Sequence, residues 1–234
     1  MKIVARAIAT VILIAAVFCS CTKEKNVEGD GVINGHTYID LGLPSGTLWA
    51  ACNVGARTPE GYGDYFAWGE TRPRSMYDWD SYAYVYYDDN GNIHITKYNP
   101  GNHYYGPVDS HTTLLPGDDA ARANWGSEWQ IPTKANWEEL INNTAVTWTT
   151  QNGVYGRLFT ATNGSSLFLP AAGLRSQSNI HYNDTISCYW SSSLRTDLPS
   201  YAWDFWSGQN FCEVSNIARC VGESVRAVHP ASQN

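Results

Sequence analysis

The first twenty residues constrain the fold most, because their pattern removes them from the folded domain. Two basic residues precede an apolar run from Ala7 to Phe18, and the sequence turns polar at Thr22. A short basic region, a short apolar core and small residues are typical of a signal peptide that is cleaved on export. The run is shorter than the ~20 apolar residues that a membrane-spanning helix needs. We therefore expect residues 1–20 to be a signal peptide and the rest of the chain to fold outside the cytoplasm.

The cysteine at position 21 marks the expected cleavage point. The segment from Phe18 to Cys21 resembles a bacterial lipobox, in which a small residue precedes the cysteine that receives the lipid. That resemblance implies acylation of Cys21 and anchoring through several acyl chains, which is stable where a single chain is marginal. The charged residues that follow resemble the surface-export signal of Bacteroidetes lipoproteins. We expect a lipid anchor in the outer membrane, facing the cell surface, and a lipidated tether over residues 21–31.

Charge and length limit what the exported part can bind. Without the two basic residues of the signal peptide, 13 basic residues stand against 22 acidic ones, a net charge of −9. This sign disfavours nucleic acid and anionic membrane surfaces as partners. Residues 32–234 have the length of one domain and are numerous enough to bury a sizeable core.

Aromatic residues are abundant where charged ones are scarce. The chain has 10 Trp and 15 Tyr, and 16% of its residues are charged, against about 25% in ordinary soluble domains. Tyr and Trp supply large, stiff and partly polar contact area, which suits recognition surfaces. A β-rich core that uses aromatic residues for packing explains the same composition, and we expect both uses.

Short apolar or alternating runs separated by turn residues predict a chain made mostly of strands. Strands are expected at 37–41, 47–52, 82–87, 93–96, 166–170, 188–191, 203–206, 211–214 and 224–228. Asn90-Gly91 is the strongest short hairpin signal, because both central residues of such a turn need positive φ. Asp88, Asn90 and Asn92 also hint at a calcium loop, but the glycine comes too early and no glutamate closes the loop. The hairpin is preferred, and Ser207 to Asn210 predicts a second one.

Two segments favour helices. The segment 117–124 begins with acidic residues, which the helix dipole favours at an N-terminus. The second helix follows Thr133, a good N-cap, with Trp137 on its apolar face and Glu138 and Glu139 mostly toward solvent. Many strands with two helices between them predict an α+β fold with a mostly antiparallel sheet.

Several segments together resemble one known family. They read YIDLGLPSGTLWA from Tyr38, YGDYFAWGE from Tyr62, NWGSEWQIPT from Asn124, FLPAAG from Phe168, YWSSS from Tyr189 and SVR from Ser224. In order and spacing they resemble the Fibrobacter succinogenes major paralogous domain of Bacteroidetes surface lipoproteins, over nearly the whole mature chain. The stretch from Trp129 to Glu138 also resembles formylglycine-generating-enzyme-like domains. These resemblances imply a single C-type-lectin-like domain over residues 32–234, with twisted antiparallel sheets, two helices and paired termini.

Three positions depart from the family pattern. Asn136 stands where the family usually has glutamate, so we expect the capping box of the second helix to be lost and Thr133 alone to cap it. Gln130 replaces a usual arginine and Ala227 a usual proline. We expect none of these changes to alter the fold.

The C-terminal strands carry the predicted binding face. Alternation places Asp204 and Trp206 on one side of a strand, and Phe211, Glu213 and Ser215 on the outward side of the next. Trp206 and Phe211 then form an exposed aromatic patch, a feature that marks interaction sites. The alternative is that these aromatic side chains pack under a neighbouring loop.

The resemblance extends this prediction along the chain. Relatives often carry asparagine runs in this region, and some C-type-lectin-like lipoproteins are targets of diversity-generating retroelements, which scramble asparagine codons. We hypothesise that residues 204–223 form a diversified face that binds an extracellular protein or glycan. The candidate contacts are Asp204, Trp206, Phe211, Glu213, Ser215, Asn216, Ile217, Ala218, Val221 and Glu223.

Catalysis and metal binding have no recognisable signature in the sequence. The histidines are scattered, and no nucleophile elbow is present. The mature cysteines Cys52, Cys188, Cys212 and Cys220 show no metal spacing, and we treat them as free or buried, with a Cys212–Cys220 bridge left open. We expect no enzyme, no cofactor and no metal. The alternatives to recognition are a structural or fimbria-associated envelope subunit, an enzyme of the formylglycine-generating type, and calcium-dependent sugar binding.

Overall fold

The computed structural model describes residues 28–101 and 106–231. The predicted signal peptide, the lipidation of Cys21 and most of the tether lie outside these residues. The end of the predicted tether is already structured, since the backbone N–H of Asp30 donates to the Tyr38 carbonyl at 2.8 Å and Gly31 pairs with Tyr38. Ordered structure therefore begins before residue 32, where the domain was expected to start.

In the described residues the chain forms sixteen strands, two helices and a short 3-10 helix at Pro116–Asp118. The helices are α1 (Ala120–Trp125) and α2 (Lys134–Asn142). The strands are β1 (Gly31–Ile33), β2 (His36–Ile39), β3 (Leu48–Ala50), β4 (Tyr65–Phe66), β5 (Val85–Tyr87), β6 (Ile93–Ile95), β7 (Ala145–Gln151), β8 (Val154–Thr160), β9 (Ser166–Pro170), β10 (Leu174–Ser176), β11 (Asn179–His181), β12 (Ile186–Leu194), β13 (Tyr201–Gly208), β14 (Phe211–Ala218), β15 (Glu223–Ser224) and β16 (Val228–His229).

These strands form three sheets and two separate hairpins. The largest sheet has the order β14-β13-β12-β15-β4, a second has β1-β2-β3-β16 and a third has β7-β8-β9, while β5-β6 and β10-β11 pair by themselves. All pairings are antiparallel except that of β12 with β15. Mostly antiparallel sheets with two short helices confirm the predicted α+β class. The pairing of β16 with β3 joins the two ends of the described chain, as the resemblance implies, and the C-type-lectin-like assignment itself stays a prediction.

Both helices begin at the residues that cap them. Asp119 accepts hydrogen bonds from the N–H groups of Ala121 and Arg122, so α1 starts later than the predicted 117. Thr133 caps α2, and the expected loss of the capping box is wrong. The Thr133 N–H donates to Asn136 Oδ1 at 2.9 Å, because the shorter amide still reaches the cap backbone.

The two faces of the largest sheet are both covered. On one face α2 packs Trp137 against Phe205 of β13, with ring centroids 4.7 Å apart, and Trp137 Nε1 donates to the Trp190 carbonyl. On the other face lies the loop between β4 and β5, which buries Tyr77 and Tyr82 against the sheet. A sheet covered on both sides leaves its edges and the surrounding loops as the places where a ligand can bind.

Helix α2 is also tied to the turn before β3. Glu138 is exposed as expected, whereas Glu139 accepts hydrogen bonds from the backbone N–H and the hydroxyl of Ser45, at 2.7 and 2.6 Å. Glu139, expected to point mostly to solvent, therefore also joins the helix to the turn before β3 in the second sheet.

The Asn-Gly pairs of the sequence form different turns. Asn90-Gly91 lies between β5 and β6, so the predicted hairpin is confirmed, but within the described loop 88–92 positive φ occurs at Gly91 alone. The Asp88 carboxylate shapes this longer loop by accepting from the N–H groups of Asn90 and Asn92. Tight turns with two positive φ values are instead at Asn34-Gly35, between β1 and β2, and at Asn152-Gly153, between β7 and β8, and the sequence interpretation missed both hairpins.

Candidate functional site

The C-terminal hairpin forms as expected, but the residues predicted to bind a ligand do not share one surface. Strands β13 and β14 pair along their full length, with Gln209 and Asn210 as the turn. The exposed members of the predicted set are Phe211 and Glu213. The half-buried members are Trp206, Ser215, Asn216, Ile217 and Ala218. The buried members are Asp204, Val221 and Glu223.

Asp204 and Trp206 do lie on the same side of β13, but that side is covered. Trp206 is opposite Cys188 of β12 and packs in a cluster with the buried side chains of Tyr77 and Tyr82. The outward position expected for Asp204 and Trp206 is wrong, because alternation fixes which residues share a face and not what covers that face. The alternative, in which the tryptophan packs under a neighbouring loop, describes this position correctly.

Val221 and Glu223 also lie beneath the surface. Val221 belongs to the same cluster of buried side chains, and Glu223 opens β15 opposite Phe66 of β4. Both residues follow the end of β14, where the chain turns inward to complete the sheet. Neither lies on the accessible surface, so the predicted face does not extend this far.

Phe211 keeps an exposed position at the tip of the hairpin, with 38% of its surface accessible. Buried Arg157 of β8 holds this tip, since its guanidinium donates to Ser207 Oγ and to the carbonyls of Gly208 and Phe211. Because Trp206 is covered, the expected patch of two exposed aromatic residues does not form there.

An aromatic cleft opens at the opposite end of the same two strands. It has a volume of 380 Å³ and is lined by Trp79, Tyr87, Gly91, Ile93, Ile95, Ser200, Tyr201 and Ala218. The β5-β6 hairpin forms one wall, and the paired residues Tyr201 and Ala218 form the other. We call this feature the aromatic cleft. It includes Ala218, which was predicted to bind a ligand.

The aromatic cleft combines flat rings with a small number of polar groups. Tyr87 is 46% exposed, and a hydrogen bond between its hydroxyl and the Asp80 carboxylate raises the pKa of Tyr87. Ser200 adds a hydroxyl on the other wall. A concave site of roughly 300–1,000 Å³ with apolar walls and a few placed polar groups is typical of small-ligand binding.

Buried Arg219 fixes the residues beneath the aromatic cleft. Its Nη1 donates to the carbonyls of Lys97 and Pro199 at 3.1 and 3.0 Å, and its Nε donates to the Tyr82 hydroxyl at 2.9 Å. Lys97 follows β6 and Pro199 precedes β13, so these bonds connect the two walls. Tyr82 in turn contacts Trp79 edge-on, with ring centroids 5.6 Å apart, so Arg219 also supports the segment that carries Trp79.

Aromatic rings surround the same guanidinium. Its central carbon lies 4.7 Å from the ring centroid of Trp68, 5.4 Å from that of Tyr82 and 5.6 Å from that of Tyr98. Arg219 is fully buried, and this packing compensates for lost hydration through cation–π contacts. The sequence interpretation missed Arg219. A single cation between the apolar residues at 217–218 and 220–221 was the available signal for a buried arginine.

Two further cavities have similar size and a different lining. One of 330 Å³ lies beside Glu28 and Asp30, and another of 380 Å³ lies beside the ion pair between Glu70 and Arg74. Among the described residues each has one aromatic side chain in its lining, against three in the aromatic cleft. The aromatic cleft is therefore the best candidate for a recognition site.

The His, Cys, Asp and Glu side chains of the described ranges form neither a cluster suited to a metal ion nor a disulfide. Within residues 28–101 and 106–231 no group of three His, Cys, Asp or Glu side chains is placed to hold a metal ion. The four cysteines of these ranges are free, so the Cys212–Cys220 bridge left open by the sequence is not formed. In the same ranges no helix has the length and apolar character required to cross a bilayer.

Comparison with known proteins brings no match to this chain. No family model fits it, and neither a curated protein nor a solved structure is significantly similar to it.

Proposed function

We propose that this chain is a lipid-anchored envelope protein whose folded part binds an extracellular ligand in the aromatic cleft. The aromatic cleft carries the proposal, because three aromatic side chains on three different segments converge on one concave site. Side chains that serve the core alone are covered, whereas Tyr87 is 46% exposed and Trp79 and Tyr201 are half-buried.

The anchor in this proposal comes from the N-terminal sequence. The apolar run and the lipobox-like segment ending at Cys21 support export, acylation and retention at the outer membrane, with the folded part facing outward. Strand β1 begins at Gly31, a short distance along the sequence from Cys21. A ligand in the aromatic cleft would therefore be held close to the membrane.

The lining favours a ligand with a flat apolar face and a polar edge. A sugar ring meets this description, and so does an aromatic or proline side chain of an extracellular protein. Rings of Trp79, Tyr87 and Tyr201 would stack on the flat face, while the Tyr87 and Ser200 hydroxyls would orient the polar edge. The net charge of −9 for the mature sequence disfavours strongly anionic ligands.

The proposal changes the position of the binding face that the sequence suggested. Ala218 and half-buried Ile217 remain close to the site, at the end of β14, whereas Phe211 and Glu213 lie at the other end of the strand. If retroelement-driven diversification occurs, substitutions at 218 would alter the lining of the aromatic cleft directly.

Binding is tested with the full-length protein purified in detergent and applied to an array of purified oligosaccharides and extracellular proteins, with and without calcium. We expect Trp79→Ala and Tyr201→Ala each to raise the dissociation constant of a bound probe about tenfold. A packed aromatic contact contributes about 1 kcal/mol in addition to its buried area. Tryptophan fluorescence titration with the strongest probe measures the change.

The matched control is Tyr155→Ala, which removes another exposed tyrosine that does not line the aromatic cleft. It should leave binding unchanged, and urea unfolding should show that all three variants fold. Binding that survives Trp79→Ala and Tyr201→Ala in folded protein would refute the proposed site.

A structural envelope subunit is the second candidate, and the position of β14 favours it. This eight-residue strand is the edge of the largest sheet, and no strand of the described chain pairs with its outer side. Edge strands add strands from other chains in fibre-forming proteins. Concentration-dependent polymers in sedimentation experiments would support this candidate, and a strict monomer at all concentrations would exclude self-assembly.

A further inference from the structure

Two buried carboxyl groups meet above the central strand of the largest sheet. Asp204 is in the middle of β13, opposite Trp190 of β12, and Glu223 opens β15 opposite Phe66 of β4. Strand β12 separates β13 from β15, so the two side chains approach each other across it. Both residues have 0% of their surface exposed.

The surroundings supply no positive charge to this pair. None of the four carboxyl oxygens makes a hydrogen bond of regular geometry with another described group, and neither does Nε1 of the adjacent Trp206. The ionisable groups that face the pair are Cys188 on β12 and exposed Glu213 on β14. Arg175 on β10 is the nearby cation, and its guanidinium stacks over the Tyr65 ring at 5.3 Å without an ion pair to either carboxylate.

Two carboxyl groups in one apolar site cannot both be ionised, so such a pair retains a proton between its members. Burial raises the pKa of both Asp204 and Glu223, and the charge of Asp204 raises the pKa of Glu223 further. The nearby Trp206 indole N–H lowers the pKa of both groups, but burial outweighs it.

We propose that the proton shared by Asp204 and Glu223 clamps β15 to β13 across β12, and that losing it above neutral pH loosens β15, β4 and the loop that covers them. The geometry transmits such a change to that loop. Tyr77 packs so closely on Gly222 that a Cβ there would lie 2.6 Å from its ring. The segment that carries Trp79 and Tyr82 therefore rests on the residue before Glu223.

The clamp needs no ligand, whereas its effect on the aromatic cleft rests on the proposed function. Loss of the clamp would be seen in unfolding experiments even if the cleft binds nothing. If the aromatic cleft binds no probe while the pH dependence of unfolding is as expected, the proposed function fails and the clamp stands.

The sign of the pH effect follows from the raised pKa values. In the unfolded chain the carboxyl groups ionise near pH 4, whereas in the folded chain burial raises the pKa of Asp204 to about 8 and holds the pKa of Glu223 well above its usual range. The folded state therefore binds more protons in between, and stability falls as pH rises through this window. For each extra proton that the folded state binds, the folding equilibrium constant falls about tenfold for every unit by which the pH rises.

The test compares urea unfolding of the full-length protein in non-ionic detergent between pH 6.5 and 8. We expect the wild type to lose stability with this slope, and the double variant Asp204→Asn/Glu223→Gln to lose most of the slope, because its amides do not titrate. The single variants should fall between the two. Asp89→Asn, an exposed acid on the loop between β5 and β6, is the control and should keep the wild-type slope.

Local loosening is measured by hydrogen exchange of peptides covering 62–70 and 219–226, corrected for the intrinsic effect of pH. In the wild type these peptides should lose protection at pH 8, and in the double variant they should keep it. If the free energy of unfolding changes with pH by the same slope in the wild type and the double variant, the proposed shared proton is refuted. Unchanged protection at pH 8 in the wild type would overturn the loosening.

Discussion

At the scale of single residues, three buried arginines donate to carbonyl, hydroxyl and amide oxygens rather than to carboxylates. Arg226 donates to Asn53 Oδ1 and to the carbonyls of Ala50 and Ala51, and Arg157 and Arg219 likewise bind carbonyl and hydroxyl oxygens. Each guanidinium joins backbone segments that are distant in sequence, because its fork of donors reaches several acceptors at once.

Arg219 provides the sharpest test of this use. Arg219→Met should lower the free energy of unfolding by about 3 kcal/mol, since it leaves three acceptors without their donor inside the core. Arg219→Lys should recover little, because a compact ammonium cannot bind Lys97, Pro199 and Tyr82 together. Urea unfolding measures both changes.

Arg72→Met is the control for Arg219, because Arg72 is exposed and its loss should change stability by no more than about 0.5 kcal/mol. A similar small effect for Arg219→Met would show that the aromatic rings alone hold the walls together.

At the scale of elements, local patterns predicted what each segment forms better than where it lies. The strand at 166–170 and the cap at Thr133 were correct, because periodicity and capping depend on neighbouring residues. The cover over Trp206 was not predictable, because it comes from the loop before β5, more than a hundred residues earlier. The candidate site was found in part for the same reason: Ala218 was named, but Trp79 and Arg219 were not.

The turn between β7 and β8 gives a prediction at this scale. Gly153 has a φ of 86° with open space around its Cα, so Gly153→Ala introduces backbone strain without a steric clash. We expect a loss of about 1 kcal/mol in the free energy of unfolding.

Gly117→Ala is the matched control, because Gly117 also has open space but no positive φ. It should be neutral or slightly stabilising in the same urea experiment. Equal effects of the two substitutions would mean that the positive φ at 153 carries no cost.

At the scale of the whole molecule, stability should fall on the acid side as well. Burial raises the pKa of Asp118, but hydrogen bonds from Lys97, Tyr98 and Tyr84 outweigh it and leave the pKa below its usual value. A lowered pKa in the folded state stabilises above the unfolded value and is lost as pH falls toward the folded value.

Asp118→Asn should therefore flatten the decline in stability below about pH 4, the region where an unfolded Asp takes up its proton. Thermal unfolding between pH 2.5 and 5 measures the slope. Asp89→Asn, an exposed residue on the loop between β5 and β6, should leave it unchanged.

The short first strand has a mechanical consequence for a chain held at its N-terminus. In the proposed lipid-anchored protein, a pull between the anchor and a bound ligand would load the three pairs of β1 with β2 first, because β1 is the outer strand of its sheet. Peeling would stop near Ile33, whose carbonyl accepts from Trp129 Nε1 at 3.2 Å. The freed residues 28–33 would then span up to about 20 Å in total, at ~3.4 Å per residue. The strand would act as a small extensible link that absorbs tension before the site does.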